Sequence, residues 1–272
     1  MHAKFEEFLR ERQYLLNVSP KTLDNYTGAF VWLNVENPTQ ADVTDMVVRM
    51  REAGNAATSV NNRLRCVQAY MRWLTGTDVK LKKLKEPQRV PQVFSQSDIA
   101  KIAAYKPRLD GQHRLQVLLL LLADTGVRIG EALGLQWADI DMDNLLLTVV
   151  GKGDKQRRVP FSYELRKYLW RYKQRKNTHW VFESRVGTPL IDHDVYMDTK
   201  LLCTRLGIKA PERLLHAFRH SFATNYVRMG GSVFGLQRAL GHSSILMSQR
   251  YTHLNTADLS AVHERITLLK RK

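Results

Sequence analysis

Apolar side chains recur at helical spacing through the first third of the chain and predict four helices. Phe5, Phe8, Leu9, Leu15 and Leu16 mark the first, over residues 3–17. Ser19-Pro20 starts the second with a capping hydroxyl and a proline in the first turn, and Leu23, Tyr26, Phe30 and Leu33 carry it on. Asn37-Pro38-Thr39 breaks the pattern. A third helix then runs from about Gln40 to Glu52 through Val43, Met46, Val47 and Met50. Ala53-Gly54-Asn55 ends it, and a fourth runs from near Thr58-Ser59 to Gly76 through Val60, Leu64, Val67, Tyr70, Met71 and Leu74.

The second part begins at Ser95, a cap with Asp98 three residues on, and its first helix reaches about Tyr105. A buried helix follows from about Gln112 to Thr125. Gly126-Val127-Arg128 interrupts, and Ile129–Leu135 predicts a short helix. Trp137–Asp143 and Leu145–Val150 read as strands, and Gln156–Phe161 as the return strand across a turn at Gly151–Lys155. Helices are expected at about Tyr163–Lys176, Asp194–Leu206, Leu214–Met229, Val233–Leu240 and Thr256–Leu269. The predicted fold class is mainly α with a small antiparallel β element, in two domains: a helical unit over 1–86, a linker over 87–93 and a second domain over 94–272.

The length of 272 residues agrees with two domains, and 44 % hydrophobic residues suffice for two cores. Charge changes the picture more. Lys and Arg number 42 against 26 Asp and Glu, a formal net charge of +16. Such a surplus in a folded chain points to a polyanion, above all nucleic acid, with an anionic membrane surface as the weaker alternative. Between residues 63 and 89 stand Arg63, Arg65, Arg72, Lys80, Lys82, Lys83, Lys85 and Arg89 against Asp78 and Glu86. This segment reads as a solvated face and linker, or as a hinge tracking a phosphate backbone; the global charge favours the hinge. The two cysteines, Cys66 and Cys203, do not make a disulfide framework and read as reduced thiols. The N-terminus is charged, without a signal region, and the apolar run Val117–Ala123 is too short to span a bilayer.

Candidate chemistry gathers in His216–Tyr251. His216 and Arg219 share a helix face, His220 follows, His242 stands in Gly-His-Ser, and Tyr251 comes nine residues later. These are donors for an anion and a hydroxyl that can attack it. Taken alone, a tyrosine there is usually half-buried packing, and it is the company of His242 and Gly241-His242-Ser243-Ser244 that raises Tyr251. Arg128, at the break after Thr125-Gly126-Val127, forms either a structural ion pair with Glu131 or a phosphate grip that Glu131 orients. Lys152 at the hairpin tip is either an exposed turn lysine or a mobile proton donor; the segment lacks the spacing of a P-loop. His216 and His220 lack the Glu of a zinc protease motif. Asp139, Asp141 and Asp143 lack the Gly and Glu of a calcium loop, so no metal site is expected.

Four ordered motifs, TGVRIGEALGL, GKGDKQRRVP, HAFRHSFAT and LGHSSILMSQRYTH, resemble the tyrosine recombinase (phage integrase, Xer-like) family over residues 122–254. The N-terminal helices look like that family's SAM-like core DNA-binding domain. The resemblance implies a site-specific DNA recombinase that cuts and rejoins strands through a covalent 3′-phosphotyrosine. Arg128, Lys152, His216, Arg219 and His242 match its activating residues, Tyr251 its nucleophile, and Glu131 and His220 its supporting positions. Ala217-Phe218 departs conservatively from many members. The basic residues above, with Lys155 and Arg157, would contact DNA.

The resemblance further implies a C-shaped clamp on double-stranded DNA with inverted-repeat core sites and no metal or ATP. It implies a homotetramer on two sites, with a monomer or weak dimer when free and accessory proteins as possible partners. A C-terminal helix at about 256–269 would dock on a neighbouring protomer, or else pack on its own domain. No arm-binding domain is expected before residue 1, and the setting would be cytoplasmic and nucleoid-associated, or phage- or element-encoded. A non-catalytic DNA-binding protein is the main alternative, and a type IB-like topoisomerase or hairpin-end resolvase shares the chemistry. A metal-dependent nuclease would need a carboxylate cluster that the sequence lacks.

Overall fold

The computed structural model describes residues 2–87, 91–151, 156–175 and 178–241. The chain divides into two compact units, Met1–Arg89 and Val90–Lys272.

The first unit holds α1 (Ala3–Tyr14), α2 (Pro20–Leu33), α3 (Gln40–Glu52) and α4 (Ala57–Thr75). Thr39 caps α3 through a reciprocal pair: its N–H donates to Asp42 Oδ2 at 2.7 Å, and the Asp42 N–H donates to Thr39 Oγ1 at 3.3 Å. The core is aromatic. Phe5 stacks on Phe30 with centroids 4.1 Å apart, and Tyr70 meets Phe5, Phe8 and Phe30 edge-on. The buried Tyr70 phenol keeps a partner by donating to the Glu36 carbonyl at 2.7 Å, and burial pushes its pKa up to about 12.

Two expectations for this unit are corrected. Helix α1 stops at Tyr14, and Leu15 and Leu16 are exposed, because the backbone turns away and reaches a left-handed conformation at Asn17. The basic segment after α4 is also less free than a hinge. Leu81 is buried in the first unit's core, with Val79 and Leu84 packed against it. Asn61, buried on α4, donates to the Leu84 carbonyl at 2.9 Å and to Glu86 Oε1 at 2.7 Å, and it accepts the Leu84 N–H at 2.8 Å. The Asn61 amide thus adds a hydrogen-bonded latch to the apolar anchoring of this lysine-bearing segment.

In the second unit α6 (Asp110–Thr125) is the axis. Residues Leu115 to Leu122 are all buried, as expected of a helix apolar all round. Around it pack α5 (Gln96–Ala104), α8 (Tyr163–Lys173), α9 (Asp192–Arg205) and α10 (Leu214–Arg228). Ser95 and Asp98 form the anticipated reciprocal cap of α5. Gln116, buried on α6, donates its amide to the carbonyls of Ile102, Ala103 and Tyr105 and fastens the end of α5. The short α7 (Ile129–Leu133) follows α6, and α11 (Val233–Leu240) packs on α10 through Ala223, Val227, Leu236 and Leu240. No helix among the described residues is long and apolar enough to cross a membrane.

The β element is a three-stranded antiparallel sheet of β1 (Ile140–Asp141), β2 (Leu146–Val150) and β3 (Gln156–Pro160). Residues Trp137–Asp139, expected in a strand, form a 3₁₀ turn because Asp139 accepts the Gln136 N–H at 2.8 Å. Asp141 accepts the N–H groups of Asp143 and Asn144 and turns the chain, and Leu145 takes a φ of 55°. The alternating aspartates therefore cap and turn the backbone.

Candidate active site

Helix α6 ends at Gly126, whose φ is +64°. A Cβ there would lie 2.5 Å from the Phe222 ring and 2.8 Å from Leu240 Cδ2, so both the turn and the close approach of α10 and α11 require glycine. Two residues later Arg128 opens α7. Its N–H donates to Glu131 Oε2 and its Nη1 to Glu131 Oε1, each at 2.8 Å. The ion pair exists, yet the Arg128 side chain stays 42 % exposed while Glu131 is 6 % exposed.

A second arginine meets the same carboxylate. Arg157 donates from Nη1 to Glu131 Oε1 at 3.0 Å and from Nη2 to Oε2 at 2.8 Å. Its Nε donates to the Ala239 carbonyl at 3.1 Å, and its side chain is 14 % exposed. Arg157 was expected to touch DNA; instead it is an internal ion pair. Strand alternation explains this. Register pairs Val149 with Arg157 and Leu147 with Val159, so Arg157 lies on the inward face with Val159, while Arg158 points out. That period-two pattern was available in the sequence, but the basic surroundings of Arg157 argued against it.

Each oxygen of Glu131 thus accepts two hydrogen bonds. Burial pushes its pKa up, but the Arg157 hydrogen bonds, the Arg128 N–H, the Arg157 charge and the Arg128 side chain outweigh it and hold it down at about 2.

Helix α10 supplies the third arginine. Arg219 donates from Nη1 to the Gly126 carbonyl and from Nη2 to the Leu240 carbonyl, both at 2.8 Å. Arg157 and Arg219 therefore both donate to the carbonyl end of α11, where the helix dipole is negative. Gly241 caps that helix with φ +64°, and a Cβ on it would stand 3.0 Å from Arg157 Cδ. His216, in the first turn of α10, is exposed. With Ile129, Asp192, His193, Tyr196 and Arg213 it lines an open groove of about 440 Å³. Since Ile129 follows Arg128, this groove adjoins the α7 turn. His220 lies half-buried on α10.

Lys152, Lys155, His242, Tyr251, Arg89 and the helix expected at about 256–269 lie outside the described residues. The described parts bring the neighbours of three of them to one place: β2 and β3, which flank Lys152 and Lys155, and Gly241, which precedes His242. In the first unit Arg65, Arg72, Lys80, Lys82, Lys83 and Lys85 are exposed. Arg72 is paired with Asp78, Arg65 donates to Asn62 Oδ1 at 3.0 Å, and Arg63 donates to the Asn25 carbonyl at 2.8 Å. Among the described residues, no three His, Cys, Asp or Glu side chains group closely enough to hold a metal ion.

The sequence pattern of the phage integrase family matches residues 92–258, which contain this whole constellation. The chain belongs to the phage integrase family. The tyrosine recombinase XerC of Xanthomonas campestris pv. campestris (strain B100) is 30 % identical over 280 residues, covering 95 % of this chain and 86 % of that protein. The tyrosine recombinase XerD of Neisseria meningitidis serogroup B (strain ATCC BAA-335 / MC58) is 30 % identical over 239 residues, covering 82 % of this chain and 81 % of the relative. In fold, the chain is similar to the integrase of transposon Tn1549 in complex with transposon right end DNA, with a TM-score of 0.78 at 20 % identity, covering 97 % of this chain and 98 % of that one. It is also similar to XerH bound to its difH substrate, with a TM-score of 0.74 at 18 % identity over 97 % and 84 % of the two chains. As a phage integrase family member it is a tyrosine recombinase, an enzyme that cleaves and rejoins DNA in site-specific recombination.

Proposed function

We propose that this recombinase acts on double-stranded DNA with inverted-repeat core sites through a covalent 3′-phosphotyrosine at Tyr251. The observation that carries the reading is the joint anchoring of Arg128 and Arg219 about the α6–α7 turn, with Arg128 still reachable from solvent. A phosphodiester under attack gains negative charge on its nonbridging oxygens. Arg128 and Arg219 receive that charge, and His242 adds a further donor.

The Tyr251 phenol bonds to phosphorus as its proton passes to His216. The bond to the 5′ oxygen breaks, and Lys152 protonates the departing oxygen. In the reverse step a 5′ hydroxyl of another strand attacks the phosphotyrosine, reforms a phosphodiester and releases the phenol. No bond energy is lost, so the reaction needs no ATP, and the arginines do the charge work that a metal would otherwise do.

The excess of basic residues supports a clamp in which both units face the duplex, with the exposed lysines at 80, 82, 83 and 85 on the phosphate backbone. Apolar spacing at Leu259, Val262, Ile266 and Leu269 supports a C-terminal helix that docks on a neighbouring protomer, within a tetramer that joins two sites. A DNA partner supports a cytoplasmic setting, nucleoid-associated in a prokaryotic host or encoded by a phage or mobile element.

The test first selects the bound sequence from a randomised duplex pool. That sequence is then offered with a single nick in EDTA, and denaturing gels report covalent protein–DNA species. The wild type forms one and Tyr251→Phe forms none. An adduct that survives the substitution, or one that appears only with a divalent metal, overturns the proposal.

A further inference from the structure

Arg157 stands at a junction. Its β3 strand pairs with β2, and the two strands flank the segment of the sequence that holds Lys152. Its two terminal nitrogens grip the carboxylate that also holds Arg128. Its third donor reaches the Ala239 carbonyl, three residues before His242, and its side chain lies against the cap at Gly241. One side chain therefore ties the β2–β3 sheet, the α7 turn and the end of α11.

The geometry points to Arg157 as a positioning residue of the recombination reaction, one that holds in mutual register, without touching DNA, the β2–β3 sheet, the α7 turn and the end of α11, the elements next in sequence to Lys152, Arg128 and His242. The inference rests on the assignment of those three residues under the proposed function. A planar guanidinium is required, because a lysine ammonium cannot grip both carboxylate oxygens and reach a backbone carbonyl beyond them. Removing the arginine would also leave Glu131 with Arg128 as its remaining charged partner in the described contacts.

Arg157→Met and Arg157→Lys in the full chain test this on the selected, singly nicked duplex. Both should bind it within about threefold of wild type with an unchanged salt slope, while adduct formation falls roughly 10²-fold, as for a displaced catalytic group. A DNA contact would instead weaken binding and lower the salt slope by about one. The pH profile separates positioning from a general loss of fold. Arg157→Met should acquire an acidic limb in its adduct rate as Glu131 titrates, and adding Glu131→Gln should abolish that limb. Amide hydrogen exchange in the free protein provides a readout that needs no reaction. Exchange should accelerate at Leu240 and Gly241 in both variants while the amides of α5 stay protected.

Weakened DNA binding, a missing acidic limb, uniform loss of protection or unchanged protection at Gly241 each overturn the inference. If the wild type forms no adduct, the proposed reaction fails, and exchange at Gly241 still decides whether Arg157 holds this junction.

Discussion

The Arg219 guanidinium donates to the Leu240 carbonyl at 2.8 Å while its other terminal nitrogen donates to the Gly126 carbonyl. A residue expected to hold phosphate is therefore also the rivet between the turn that presents Arg128 and the helix that precedes His242. Arg219→Lys keeps the charge but not the two-point fork. Adduct formation on the nicked duplex should fall by about 10²–10³, the cost of losing a preorganised donor. Gel-shift affinity should stay close to wild type, and a retained rate would dissociate the rivet from the chemistry.

Glu131 offers a pH test with a defined sign. Its folded pKa lies near 2, below the ordinary 4.5, so it stabilises the fold fully above pH 4.5 and loses that contribution as pH falls toward 2. The linkage amounts to about 3 kcal/mol. Guanidinium unfolding of wild type and Glu131→Gln at pH 7, 5, 4 and 3 should show a gap that is constant to about pH 5 and then narrows. A gap that widens on acidification would contradict the four-donor arrangement.

Gly126 carries both a left-handed φ and a crowded Cβ position. Gly126→Ala should destabilise the second unit by about 2–5 kcal/mol, combining left-handed strain and overpacking. At Gly241 the nearest neighbour is the anchored Arg157 side chain at 3.0 Å, a milder approach than the 2.5 Å at Gly126, and Gly241→Ala should cost only about 1–2 kcal/mol. Thermal unfolding ranks the two. The reverse order would mean that Phe222 and Leu240 yield more readily than their packing implies.

Much of this was legible in the sequence, and the failures have physical causes. Helix α6 is marked by an unbroken apolar run and α5 by its Ser95–Asp98 cap. The spacing of Arg128 and Glu131 announced their pairing. What Arg219 does at Gly126 and Leu240 left no mark, because its acceptors are main-chain carbonyls that any residue provides. Arg157 did leave one, in its shared parity with Val159, but abundant positive charge around it pointed toward DNA. Trp137–Asp139 has strand-like composition, and a single carboxylate at Asp139 turned it instead.

The latch at Asn61 predicts a protease signature. Asn61→Ala removes three hydrogen bonds to Leu84 and Glu86. The local loss should be about 1–3 kcal/mol. Trypsin should then cut faster at Lys82, Lys83 and Lys85 while circular dichroism of the helices is retained. Equal cleavage rates would mean that Leu81 alone holds the segment.

The carbonyls that Arg157 and Arg219 grip at the end of α11 have a consequence for how this enzyme can diverge. A grip on main-chain oxygen is blind to the side chain that oxygen belongs to. Ala239, half-buried and not part of the apolar cluster beneath α11, can therefore change identity without releasing its arginine. The frame of the site and the surface of the helix that closes it are free to evolve on separate schedules.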